Sequence, residues 1–277
     1  MKTKLDEVGI WSEIKLEIVR AYASEYSKII SKQPTIRRHI YIDAFAGPGI
    51  HLSRQSGNYV NGSPLNALLV QPPFTEFHFI DADKNRVAQL NDLVGGQSNV
   101  FTHPGDCNAI LPKDVFSRAR YEDYARALCL IDPYNIDLEW RVVYQAGQMK
   151  SIEIFLNFMV MDMNMNILRK NPEKAESAQI DRMNRFWGDD SWRKLMYGSS
   201  GNLFGEDEKV DRGNEVLAEG YRQKLLDVAG FKYVPKPLPM QNTKGATVYY
   251  LFFASPNKTG NKIVEHIFEK YRNQGKI

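Results

Sequence analysis

The sequence is poor in cysteine: in 277 residues only Cys107 and Cys129 carry a thiol, in separate segments and without metal-ligand spacing. That excludes a disulfide framework and a cysteine-based zinc site, so each thiol reads as a small buried apolar group. Long apolar runs are missing as well. No stretch approaches the roughly 20 residues of a membrane span, so no membrane partner is expected. The opening residues Met1-Lys-Thr-Lys-Leu-Asp-Glu7 lack the apolar core of a signal peptide, which predicts a cytoplasmic location. Charge of one sign is also scarce. A net charge of +3 is too small to predict nucleic-acid binding by itself. The local basic group Lys28, Lys32, Arg37, Arg38 and His39 reads as solvated charge flanking a strand, with a phosphate-facing patch as the alternative. His39, His51, His78, His103 and His266 are scattered without zinc spacing, so no metal site is expected. His78, between Phe77 and Phe79, reads as a packed side chain. The sequence has no P-loop and suggests no Ser-His-Asp arrangement.

What is present is material for a core. Apolar residues at 43% with aromatics at 12% predict a packed globular chain, read as a single domain over 1–277. Ile14, Ile18, Ala21 and Tyr22 recur at helical spacing, predicting an N-terminal helix within 8–32. Strands are expected at His39–Ala44, Glu76–Asp81, Asn99–Thr102, Ala127–Asp132 and Ile152–Phe158. Between them, Ser63-Pro64 reads as an N-cap with proline in the first turn of a helix reaching Leu69. A second helix is expected over Asp83–Leu93. Strands apolar along their whole length, alternating with helices, indicate a parallel sheet covered on both faces. The stretch 159–205 breaks this rhythm and reads as a helical insertion bounded at Pro172, packing on the sheet or covering a substrate. Its methionines Met159, Met161, Met163, Met165, Met183 and Met196 suggest an adaptable apolar surface. A helix over Asp211–Val228 ending at Gly230 follows. Then come strands at Phe231–Val234 and Val248–Ala254 that close one sheet edge as an antiparallel hairpin, and a last helix over Ile263–Tyr271.

Four segments carry polar groups to strand ends. Tyr41-Ile-Asp-Ala-Phe-Ala-Gly-Pro-Gly49 ends the first strand with Asp43, and Phe45, Gly47 and Gly49 follow in a tight turn. In an α/β fold such a turn opens a cleft for a nucleotide-like ligand, since bare glycine backbone permits close approach. Leu52 stands where a dinucleotide fingerprint has its third glycine. Phe77-His-Phe-Ile-Asp81 ends the second strand. Asp81, with Ala82 beside it, can accept both hydroxyls of a ribose. It follows Gly49 at more than the about 20 residues of the NAD fingerprint, which a loop insertion over Ile50–Asn61 explains. Asp83 at the next helix start reads as an N-cap, with substitution for Asp81 as the alternative. Gly105-Asp-Cys-Asn108 follows the third strand: Asp106 can bond an exocyclic amine and Cys107 or Asn108 offers backbone, with a plain Asx-turn as the alternative. Leu130-Ile-Asp-Pro-Tyr-Asn135 ends the fourth strand, placing Asp132, Pro133, Tyr134 and Asn135 beside the first.

A strand-end acid followed by Gly-x-Gly resembles the opening of class I S-adenosylmethionine (SAM) methyltransferases. Asp132-Pro-Tyr-Asn135 resembles their Asp-Pro-Pro-Tyr element, in which carboxylate and backbone carbonyl accept hydrogen bonds from a target amine and the aromatic stacks on a base. With Gly62-Ser-Pro-Leu65, Phe79-Ile-Asp81, Glu139-Trp140, Tyr250-Leu-Phe-Phe-Ala-Ser255 and Asn261-Lys262, the chain resembles the three-Cys-motif partner protein family (TcmP) over roughly residues 10 to 270. The resemblance implies a Rossmann-like, mostly parallel sheet of seven strands with an antiparallel C-terminal strand, a SAM cofactor, and a partner protein with a three-cysteine motif. It implies Asp43, Phe45, Gly47, Gly49, Asp81, Ala82, Asp106 and Cys107 on the cofactor side. Asp132, Pro133, Tyr134 and Asn135 would form the catalytic side. The expected activity is methyl transfer to an amino group, such as that of adenine in RNA or DNA; a non-catalytic binding module serving a partner protein is the alternative. The single proline sets the aromatic one residue earlier than in Asp-Pro-Pro-Tyr, so either Tyr134 or Asn135 faces the target, or the site binds SAM without methylating a nucleobase.

Overall fold

The computed structural model describes residues 7–170, 175–199, 207–209, 213–242 and 244–274. Its main sheet has seven strands: β1 Arg38–Asp43, β2 Glu76–Asp81, β3 Val100–Pro104, β4 Ala125–Ile131, β5 Ile152–Phe158, β6 Leu238–Gln241 and β7 Thr247–Ala254. Their spatial order is β3-β2-β1-β4-β5-β7-β6. Neighbours from β3 to β5 run parallel, and β7 runs antiparallel to both β5 and β6. The chain steps outward from β1 through β2 and β3, then returns to lay β4 on the other side of β1. That reversal leaves a crevice at the carboxyl ends of β1 and β4, the place where open α/β sheets bind ligands.

Ten α-helices are described: α1 Ile10–Ile30, α2 Ser63–Leu68, α3 Lys84–Val94, α4 Cys107–Ile110, α5 Trp140–Met149, α6 Val160–Asn166, α7 Ser177–Trp187, α8 Trp192–Met196, α9 Gly213–Asp227 and α10 Lys258–Gln274. Alternate residues of each central strand enter opposite cores. Ile40, Ile42, Cys129, Ile154 and Phe252 pack with Val142, Trp187 and Tyr221 of α5, α7 and α9. Tyr41, Leu128, Phe155 and Phe253 pack with Ile18, Leu90, Val264 and Phe268 of α1, α3 and α10. Both faces are therefore buried, which is why these strands carry apolar residues on both sides rather than in alternation.

Several elements differ from expectation for identifiable reasons. The N-terminal helix starts at Ile10 rather than residue 8, because Gly9 is its cap and Glu7–Val8 instead pairs with Ile50–Ser53. The supposed loop insertion after Gly49 is a hairpin of Ile50–Ser53 and Tyr59–Asn61. Gly62, not Ser63, caps α2, and Ser63 lies in its first turn. Phe231–Val234 is not a strand. Phe231 is buried in the core, only Tyr233 bridges to Ser255, and the edge strand forms after Pro237. Pro239 within β6 is tolerated because an edge strand has one unpaired side.

The last helix starts five residues early, at Lys258, where the Asn257 side chain accepts the Thr259 N–H at 2.8 Å. Insertion 159–205 is not wholly helical, since Tyr197–Ser199 pairs antiparallel with Asp207–Lys209. Its boundary residue Pro172 and the start of the next helix at Asp211 lie outside the described residues. The methionines do not form one surface: Met163, Met183 and Met196 are core residues, while Met165 is exposed. No helix among the described residues is long and apolar enough to cross a membrane.

Candidate functional site

Because Asp43 of β1 lies level with Leu130 of β4, the turns after these strands face each other. Between them is a cavity of about 220 Å³. Phe45, Ala46 and Gly47 line one wall, and Asp132, Pro133 and Tyr134 the other. Lys15 from α1, Asn157 and Met159 from the end of β5, and Tyr249 from β7 close it.

Asp132 is held on both oxygens. Lys15 Nζ forms an ion pair with Oδ2, and Asn157 Nδ2 donates to Oδ1. Lys15 is buried, and its ammonium sits 5.8 Å from the centroid of the Tyr249 ring. A buried ammonium is costly unless paired, so Lys15 and Asp132 compensate one another's desolvation. The fixed carboxylate still has lone pairs for a further donor, since a carboxylate offers about four acceptor sites. Tyr134 is exposed at the cavity lip, its ring 5.7 Å from the Arg86 guanidinium. Asn135 is also exposed and lies outside the cavity lining.

The turn after β1 is held by Asp81. Gly47 donates its N–H to Asp81 Oδ2 at 2.9 Å, and the Asp83 N–H reaches Oδ1 at 2.8 Å. Gly47 has φ +65°, a conformation that L side chains rarely adopt. A Cβ there would meet only His51 Cε1, at 3.8 Å, so the turn leaves bare backbone beside the cavity. Gly49 serves differently: at φ +86° its Cβ would fall 2.8 Å from Leu90 Cδ1, so its bareness lets α3 pack closely.

Asp43 is fully buried beneath the turn rather than lining the cavity. Its Oδ1 accepts the Phe45 N–H at 3.2 Å, and among the described residues no donor meets its Oδ2 in hydrogen-bond geometry. Burial pushes the carboxyl up to about 7, opposed in part by the nearby Ser63 hydroxyl and the Phe45 amide, with the Asp132 charge adding to the rise.

At the next strand end Asp106 caps α4, accepting the Asn108 N–H at 2.9 Å; this is the local turn considered as its alternative role. Its side chain remains exposed, as does Ala82. Cys107 is buried, and burial pushes its thiol up to about 12, so it is inert as a nucleophile.

Of the residues expected from sequence, Phe45, Gly47, Asp132, Pro133 and Tyr134 thus share one cavity. Asp81, Ala82 and Asp106 lie outside it at the neighbouring strand ends, where their acids could hold the nucleoside part of an extended ligand. Asp43, Cys107 and Gly49 are packed beneath or beside the turn. Sequence reasoning missed Lys15, Asn157 and Tyr249. Two had a signal: Lys15 precedes Ile18 and Val19 by one turn on the buried stripe of α1, and Asn157 interrupts an apolar strand. A polar group in either place needs a buried partner.

His78 is packed as expected, but not merely so. Its Nε2 bonds Glu76 at 2.6 Å and its Nδ1 bonds His103 at 2.9 Å, while Arg118 grips the same carboxylate. Burial alone would raise Glu76, but the bonds from Arg118 and His78 outweigh it and hold the carboxyl at about 2. Among the described residues no group of three or more His, Cys, Asp or Glu could hold a metal ion.

No family model and no curated protein matches the sequence. Solved structures do match the fold. A Legionella pneumophila protein of the DUF519 family has a TM-score of 0.51 at 10% identity, over 92% of this chain and 91% of that one. The CurJ carbon methyltransferase has a TM-score of 0.42 at 12% identity over 86% of this chain, which spans 54% of that protein. A Leishmania major SAM-dependent methyltransferase has a TM-score of 0.37 at 11% identity, over 88% of this chain and 82% of that one. At such identities the likeness concerns fold alone, and that fold is the seven-stranded Rossmann-like sheet with one antiparallel C-terminal strand.

Proposed function

We propose that this chain is a SAM-dependent methyltransferase acting on an amino group, such as the exocyclic amine of adenine in RNA or DNA. The observation that carries the reading is the cavity joining the Phe45–Gly47 turn to the Asp132–Tyr134 strand end. Gly47 offers bare backbone there, and Asp81 and Asp106 lie along the same row of strand ends; these residues would hold the cofactor. Bound there, SAM would supply an electrophilic methyl group on its sulfonium.

The chain's own contribution is positional. Lys15 and Asn157 fix the Asp132 carboxylate, whose remaining lone pairs would accept an N–H of the acceptor and aim the nitrogen lone pair. The exposed Tyr134 ring would stack on a planar acceptor. Orientation of this kind needs little acid–base power and can contribute several powers of ten in rate.

Asp132→Ala is expected to abolish methyl transfer while largely sparing SAM affinity. The check is transfer of labelled methyl to total RNA, DNA and protein, beside calorimetry with SAM. Unaltered turnover would reject the role given to Asp132.

One observation favours a second reading, a methyltransferase-like binding module that works with a partner protein. Both Asp132 oxygens already have donors within the chain, which leaves fewer sites for an acceptor. Resemblance to the three-Cys-motif partner family fits the same reading. Co-purification with a neighbouring gene product, with SAM bound and no transfer to any acceptor, would favour this module.

A further inference from the structure

A second cavity, of about 270 Å³, lies at the opposite end of the sheet. Arg126 at the start of β4, Glu153 near the start of β5, and the segment after β7 bound it. The candidate methyl-transfer site lies at the carboxyl ends of the parallel strands, so a full strand length separates the two.

Its polar groups are unevenly partnered. Lys150 and Lys258 line it, and neither forms an ion pair among the described residues. Among the described residues Arg126 bonds the Ala125 carbonyl and lies over the face of Tyr121, 3.9 Å from its guanidinium, and forms no ion pair. Lys150 and Lys258 are exposed, so water screens part of their repulsion, yet an anion between the three cations would be attracted by all of them. The start of α10 adds the positive end of a long helix, and Lys258 is its first residue. Gly260, in that first turn, approaches so closely that a Cβ would fall 2.9 Å from Glu153 Oε1.

The second observation is Tyr26. Its side chain lines the cavity and is 5% exposed, yet its hydroxyl has no hydrogen-bond partner. Burial raises that hydroxyl's pKa, and the charges acting on it are Glu153 and Arg126, both cavity residues. A buried donor without an acceptor is costly, and native structures seldom leave one so.

We propose that this cavity is a second ligand site, taking a small phosphate-bearing molecule between Arg126, Lys150 and Lys258, with the Tyr26 hydroxyl donating to it. A dianionic phosphate suits three cations better than a single carboxylate does, and its several oxygens match the dispersed donors. Glu153 does not oppose such a ligand. Burial pushes its carboxyl up to about 7, against the hydrogen bonds from Tyr22 and Ser255, so much of its charge is gone near neutrality. Tyr121, Ile30 and Pro256 give the cavity an apolar side for the rest of the ligand.

The test is calorimetric titration of the full chain with inorganic pyrophosphate, at an ionic strength fixed with chloride. Saturable binding at one site is expected, and the Lys150→Ala/Lys258→Ala double variant should weaken it by about tenfold or more. Tyr26→Phe, which alters no charge, should weaken it as well while the chain unfolds at an undiminished temperature. Arg141→Ala/Arg185→Ala, which removes two exposed cations on another face, should bind as the parent does. No saturable heat from the parent chain, or undiminished affinity in both cavity variants, would overturn the assignment.

Discussion

At the scale of single residues, the polar groups buried at the strand ends are the ones whose removal is most telling. Lys15 and Asp132 are each taken from water and compensated mainly by the other. Lys15→Ala should therefore cost about 2 kcal/mol or more of stability, because it strands a largely buried carboxylate. Replacing both, as Lys15→Met with Asp132→Asn, should recover most of that loss in urea denaturation. Strictly additive losses would show that the pair is not coupled.

Glu153 gives a pH-dependent counterpart. Its carboxyl rises from an ordinary 4.5 to about 7 in the folded chain, so between those values the native state keeps a proton that the unfolded state has released. Stability then falls as pH rises through that window, by up to about 1.4 kcal/mol per pH unit, and changes no further above it. Glu153→Gln removes this dependence, so the parent should lose ground to the variant between pH 5 and about 7. Melting profiles that stay parallel across that range would contradict it. Asp132 was legible in the sequence because it ends a strand in a recognisable pattern. Lys15 and Asn157 each stand out as a polar residue at a buried position, but only the fold pairs such distant positions with Asp132.

At the scale of elements, the central strands could be read directly. Burial on both faces makes β4 and β7 almost wholly apolar, and leaves β1, β2 and β5 with apolar runs broken by a few polar residues. The edges were harder. β6 contains Pro239 and follows Pro237, and its stability comes from pairing with β7 rather than from its own residues. The hairpin over Ile50–Asn61 has little alternation of its own and is held through Glu7–Val8.

Gly260 lies inside α10, where Tyr22 and Glu153 leave no room for a side chain. Gly147 in α5 is constrained more severely, since a Cβ there would lie 2.2 Å from the Ala229 carbonyl oxygen. Backbone cannot yield as a side chain can. Gly147→Ala should thus destabilise by about 1–3 kcal/mol despite alanine's better helix propensity. A melting temperature equal to or above that of the parent would show that the helix can shift without cost.

At the scale of the whole molecule, the sheet has a polar cavity at each end, and the two suit different chemistry. The end beneath β4 and β5 gathers three cations, Arg126, Lys150 and Lys258, around a small cavity. At the carboxyl ends stand acids from successive strands, Asp81, Asp106 and Asp132, beside a glycine turn. That row of acids, together with the reversal of strand order between β1 and β4, is what makes a nucleoside-bearing cofactor the central claim. The most direct measurement is calorimetric titration of the intact chain with S-adenosylhomocysteine, which needs no acceptor. The account predicts saturable binding at a single site, weakened when Gly47→Val fills the turn beside the cavity. No detectable heat at about millimolar ligand, a concentration reached even by weak sites, would contradict it.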